Sequence, residues 1–193
     1  MYKFLTILIL VYIAFSTCKK KSDDFENFSD NPKIPPEIFL VELSKKIFKD
    51  EWKETKVEKV SSGLEVLIEF GGKSALSFRS QDSFENEMKY ITADYIWKFL
   101  RYSSARDIKL LKLSLTKPFY VNEETIKKEV IEEFEVFRVS VDPLEIKIIS
   151  DFQTLQLTPI ATSEKDSKRF KVLDEIIKRW KVELNEFKRV EIK

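Results

Sequence analysis

Thirty-three carboxylates, one thiol and no imidazole bound the chemistry open to this 193-residue chain. Without histidine there is no Ser-His or Cys-His nucleophile, no His-ligated metal and no side chain that switches charge near neutral pH. The single thiol, Cys18, excludes an internal disulfide and a cysteine-rich metal site. The carboxylates are densest at Glu123, Glu124, Glu129, Glu132, Glu133 and Glu135. Calcium loops use closely spaced Asp or Asn with a glycine at the bend, which this stretch lacks, so the expectation is a solvated acidic edge that discourages sheets from pairing. Paired carboxylates can also cut glycosidic bonds, but no spacing singles out a pair. Gly63, Gly71 and Gly72 fit neither a phosphate-cradling loop nor a dinucleotide fingerprint. No catalytic residue, metal ligand or cofactor is assigned from the sequence.

Net charge adds a second exclusion. Lysine and arginine number 34, for a formal charge of +1. If residues 1–17 are removed only Lys3 is lost, leaving 34 − 1 = 33 basic side chains against 33 acidic ones. A neutral chain with interspersed signs offers no concentrated positive field for nucleic acid. The last thirty residues lean basic, through Lys165, Lys168, Arg169, Lys171, Lys178, Arg179, Lys181, Lys188, Arg189 and Lys193, and a solvated outer face is the expectation there.

Cys18 has its own context. The chain opens Met1-Tyr2-Lys3, runs apolar from Phe4 to Phe15, and continues Ser16-Thr17-Cys18. One positive charge, about a dozen apolar residues and two small residues form the layout of a signal peptide, the run being short for a membrane span of about 20; the other readings are an uncleaved signal anchor in which Cys18 is incidental and a buried amino-terminal helix. The segment resembles bacterial lipoprotein signals, whose motif is Leu, a small residue, Gly or Ala, then the modified Cys. Phe15 and Thr17 depart from the strict form. Such relaxed motifs are familiar among spirochaetal lipoproteins, and the Lys-, Phe- and Ile-rich composition looks similar to theirs. The resemblance covers about twenty residues. It implies cleavage between Thr17 and Cys18 and fatty acids on Cys18, placing the domain in the cell envelope outside the cytoplasm.

Residues 19–35 are polar, proline-bearing and aperiodic, and read with Cys18 as a tether. Lys19, Lys20 and Lys21 suit anionic headgroups, each contributing about 1 kcal/mol.

The division expected is a signal peptide over 1–17, lipidated cysteine and tether over 18–35, and one globular domain over 36–193. A helix opens after Pro35-Pro36 and ends near Trp52. Strands follow at Val57–Val60, Leu64–Phe70 and Ala75–Phe78, the last two joined by Gly71-Gly72 as a hairpin. Phe84, Met88, Ile91, Tyr95 and Phe99 step along a second helix capped by Asp82 and Glu85. Extended patterning returns at Ile108–Leu115, Phe134–Val141, Leu144–Ile149 and Phe152–Leu157, while 122–131 reads equally as short helix or bulged strand. Phe170, Leu173, Ile176, Ile177, Trp180, Leu184 and Phe187 stripe a final helix. The sum is an α+β domain, an antiparallel sheet of about six or seven strands packed by three helices.

Trp97 stands about 200° round its helix from Tyr95, at 100° per residue. An exposed indole there asks for a second buried face or a partner. Tyr95, Trp97 and Tyr102 are therefore the candidate partner surface. The functional expectation is a membrane-anchored module that binds or scaffolds an envelope or host protein. The alternative is a carboxylate-dependent hydrolase of envelope or extracellular glycans.

Overall fold

The computed structural model describes residues 33–72, 81–121, 130–155 and 163–187. The chain is α+β. Helix α1 spans Pro36–Phe48, with proline in its first turn and Glu37 at the positive end of its dipole. It buries Phe39, Leu40, Leu43, Ile47 and Phe48 on one side. The helix stops short of Trp52 because Lys49 takes a left-handed φ of 50°. A 3-10 turn over Lys49–Glu51 then leads into strand β1, Trp52–Val60.

Ser61-Ser62 turn β1 back as β2, Gly63–Phe70, in antiparallel register with Val57 opposite Val66 and Thr55 opposite Ile68. The expected second hairpin gives way here. Ala75–Phe78 lies outside the described residues, and the other neighbour of β2 is a parallel strand. Helix α2, Gln81–Tyr102, intervenes before that strand, β3, Ile108–Val121. Crossing back to pair in parallel takes a helix-length connection, which the 22-residue α2 supplies. Strand β4, Val130–Val141, is antiparallel to β3, and 130–131 of the ambiguous stretch are its first residues.

Three further expectations are corrected. Leu144–Ile149 is not a strand: the segment forms the short helix α3, Pro143–Lys147. The Asp142 carboxylate accepts from the Leu144 N–H at 2.8 Å and Pro143 occupies the first helical position, an N-cap arrangement that also reads as a turn. Phe152–Leu155 follow as turns, and 156–157 lie outside the described residues. The final helix α4, Ser163–Arg179, ends before Trp180, and Lys181–Asn185 pair with β4 as strand β5. Leu184 is thus a strand residue, whereas Phe187 is still fully buried beneath Phe84 and Phe137.

Among the described residues the sheet has five strands in the order β1-β2-β3-β4-β5, mixed rather than antiparallel, with four α-helices. Alternation sorts its faces. Leu64, Val66, Ile68 and Phe70 of β2 join Leu111, Leu113 and Leu115 of β3 in the core with the helices. Glu54, Lys56, Glu65, Glu69, Lys112 and Arg138 occupy the opposite face, where Lys56–Glu69 (3.6 Å) and Lys112–Glu183 (3.5 Å) pair across strands. Helices α2 and α4 are tied by Arg169–Asp94 (2.5 Å) and by the Tyr90 hydroxyl donating to Asp174 (2.6 Å). The Asp174 hydrogen bond raises the Tyr90 phenol above its usual range. Among the described residues no helix is long and apolar enough to cross a membrane.

Candidate functional site

The topology gives the domain two ends. At the near end meet the start of α1, the Ser61-Ser62 turn, the α2–β3 connection and α3. Pro36, Lys59, Ser62, Arg106 and Asp107 line an open groove of about 510 Å³ there. The Arg106 guanidinium lies 4.7 Å from the Phe39 ring centre, and the Asp107 carbonyl accepts from the Leu64 N–H at 2.9 Å. Burial lowers the Lys147 ammonium against the opposing pull of Asp107.

Lys117 lies nine residues beyond Ile108, about 30 Å along β3. That is the far end, where α1 finishes and β1 begins. The Tyr95 hydroxyl donates to Glu51 Oε2 at 2.8 Å, and its ring sits among Phe48 and Phe70 with centroids 4.3 and 5.4 Å away. Burial, then the hydrogen bond and charge of Glu51, push the Tyr95 phenol far above its usual value. Gly71 seals the junction. Its N–H donates to the Glu51 carbonyl at 2.8 Å, and a Cβ on it would lie 1.8 Å from the Thr116 carbonyl oxygen.

Two lysines share this end. Lys117 is 6 % exposed and makes no hydrogen bond or ion pair among the described residues. Burial lowers its ammonium pKa, Glu51 draws it back up, and the charge of Lys53 lowers it further. The Lys53 ammonium is also buried. It stands 2.7 Å from Glu133 but is not aligned with it as a hydrogen bond. The Lys53 ammonium is thus ion-paired, whereas Lys117 has no partner among the described residues. Burial of a lysine side chain disfavours its charged form, which is the direction of the shift at Lys117.

Of the candidate partner surface, Trp97 and Tyr102 fall elsewhere. Trp97 is 1 % exposed and its Nε1 donates to the Phe152 carbonyl at 3.0 Å. Tyr102 is 8 % exposed. Trp97 and Tyr102 belong to the core and Tyr95 to the far-end cluster, so the three form no exposed aromatic surface. The second buried face that Trp97 requires comes from the turns after α3, where Arg101 also donates to the carbonyls of Gln153 (2.7 Å) and Leu155 (2.6 Å). Of the acidic stretch, Glu133 faces Lys53, and Glu135 accepts from Arg138 and from the Ser114 hydroxyl. Glu123, Glu124 and Glu129 lie outside the described residues, as do Thr17 and Cys18, and the side chain of Glu132 is not described. Among the described residues no group of three or more acidic or thiol side chains is placed to hold a metal. Glu37 and Glu175 are held below the usual carboxylate range by lysine and arginine partners, the opposite of what a general acid needs.

Lys117, Lys53 and Glu51 carry no motif, yet one sequence signal points to the first. Leu111, Leu113, Leu115 and Lys117 share one parity of a strand, so the row that buries three leucines continues inward to a lysine. Compared with protein-family models, with curated proteins and with solved structures, the chain matches none.

Proposed function

We propose that this protein is a cell-envelope lipoprotein, acylated on Cys18, whose α+β domain works as a binding module. The observation that carries the reading is the position of the only cysteine, directly after a basic, apolar and small-residue leader.

Two features of the fold support an orientation for such a module. The chain enters the domain at Pro36, so the near end is the one tied to the lipid. Residues 18–35 limit the reach between them to roughly 60 Å even when fully extended. The near end also carries the exposed apolar side chains Ile38 (57 %), Leu144 (63 %) and Ile148 (77 %), which suit the neighbourhood of a bilayer. With those side chains against a bilayer, the far end faces away from it.

Growth of the producing cells with labelled palmitate tests the anchor. Wild-type protein takes up label and enters the detergent phase, and Cys18→Ala does neither. Equal labelling of both forms removes the reading.

A further inference from the structure

We propose that the open edge of β1 pairs antiparallel with β1 of a second copy of this chain, about a two-fold axis at Val57. The pairing goes beyond the binding-module reading and needs no acyl chain on Cys18.

Strand β1 ends the sheet, and among the described residues it pairs only with β2. Its backbone therefore has an open side, and alternation fixes which residues face it. The Leu64 N–H turns toward β3, where the Asp107 carbonyl accepts it at 2.9 Å. Lys59 stands opposite Leu64 in the register, so its own N–H and carbonyl turn outward. Val57 and Thr55, on the same parity, turn outward with it.

The register of the second copy follows from the sequence. An irregularity between Trp52 and Glu54 confines regular pairing to Glu54–Val60, and the midpoint of that run is Val57. A two-fold axis there sets Val57 against itself and Thr55 against Lys59. Each outward N–H of the run then meets a carbonyl of the copy. Lys56 falls opposite Glu58 on both sides of the axis, at the positions of an antiparallel pair where side chains lie closest. Moving the axis by one residue sets Glu58 against Glu54 or against itself.

Glu58 supplies the independent observation. Its carboxylate makes no hydrogen bond or ion pair among the described residues, and its partner across β2 is another carboxylate, Glu65. Like charges directly opposite each other destabilise a sheet. Lys56 of the copy brings to the open flank of Glu58 the cation that its paired flank lacks. Lys56 is half exposed and lies along this face of the sheet, 3.1 Å from Glu54 and 3.6 Å from Glu69.

Disulfide trapping in the full chain tests the proposal. A thiol placed by Val57→Cys meets its copy with Cα atoms about 5.5 Å apart, within disulfide reach, whereas one placed by Lys59→Cys lies about 13 Å along the strand from its copy. Mild oxidation should trap Val57→Cys as a covalent dimer at least about tenfold faster than Lys59→Cys. In the Val57→Cys background, Lys56→Glu or Glu58→Lys alone should slow trapping about tenfold, because the axis repeats each reversed contact. The two together exchange the charges and should restore it. Wild type is the control. A wild-type dimer trapped through Cys18 reports an unacylated thiol, which counts against the anchor and not the edge, and Cys18→Ala is then added to every variant. Val57→Cys trapped no faster than Lys59→Cys overturns the proposal, and so would be the result for an edge that takes its strand from a different protein. Trapping indifferent to both single reversals, or not restored by the exchange, overturns it as well. Should a charge variant fail to fold, the comparison of Val57→Cys with Lys59→Cys decides alone.

Discussion

The Tyr95 hydroxyl reaches across from the middle of α2 to donate to Glu51, 44 residues earlier in the chain, at 2.8 Å. That bond fixes the lead-in to β1 against the helix layer and leaves Glu51 less free to partner Lys117. Removing it in Tyr95→Phe should lower stability by about 1.5–3 kcal/mol, the range for a hydrogen bond to a charged group. Its pH dependence has a definite sign. The folded phenol titrates above the unfolded value of about 10, so its contribution is complete below pH 10 and fades as pH climbs through the alkaline range. Urea unfolding from pH 8 to 11 should show wild type losing stability in that window faster than Tyr95→Phe.

Lys117 carries the opposite sign. Its folded pKa lies below the unfolded 10.5, because burial and then Lys53 disfavour the charged form more than Glu51 favours it. The burden is present while both states are protonated and is relieved as pH rises toward 10.5. Lys117→Met should therefore be at least as stable as wild type at pH 7, with the gap narrowing toward pH 10. A Lys117→Met protein several kcal/mol less stable at pH 7 would mean the ammonium has an anionic partner of its own.

Gly71 has φ 152°, and a Cβ there meets the Thr116 carbonyl oxygen at 1.8 Å. No rotamer relieves a clash between a Cβ and backbone. Gly71→Ala should cost about 3 kcal/mol or more by forcing β1, β2 and β3 apart at the far end. The denaturation midpoint should fall with little change in slope.

Trp97 is buried on every side, and its indole N–H ends on the Phe152 carbonyl at 3.0 Å. Trp97→Ala should cost about 3–5 kcal/mol, the range for emptying a large aromatic site. Trp97→Phe should cost less, because Arg101 Nη1 stands 3.5 Å from the same carbonyl and can partly satisfy it. Equilibrium unfolding of both variants ranks them, and equal losses would show that the bond rather than the volume matters.

How much of this was legible in the sequence depends on what each residue's role rests on. The three-and-four steps from Phe84 to Phe99, and the alternation of Leu64, Val66, Ile68 and Phe70, depend only on local geometry, and the structure keeps both. The parallel pairing of β2 with β3 depends on where α2 carries the chain, and Gly71-Gly72 reads locally as a hairpin turn. Trp180, Leu184 and Phe187 continue a helical stripe on paper, but pairing with β4 turns Lys181–Asn185 into a strand, since tertiary pairing overrides a short periodic signal. Of the candidate partner surface only Tyr95 touches the far-end cluster. Trp97 becomes core because the turns at Phe152–Leu155, expected as a strand, fold over it. Lys117 shows the reverse case: the alternation that marks it was present, but lysine is so seldom buried that composition argues against reading it inward.

The membrane anchor is the central claim, and the covalent state of Cys18 in protein purified from the producing cell tests it most directly. Mass spectrometry of the amino-terminal peptide should find a chain beginning at Cys18, its thiol unavailable to iodoacetamide and its mass raised by fatty acyl groups. A peptide that begins at Met1, or a Cys18 that alkylates as a free thiol, would contradict it.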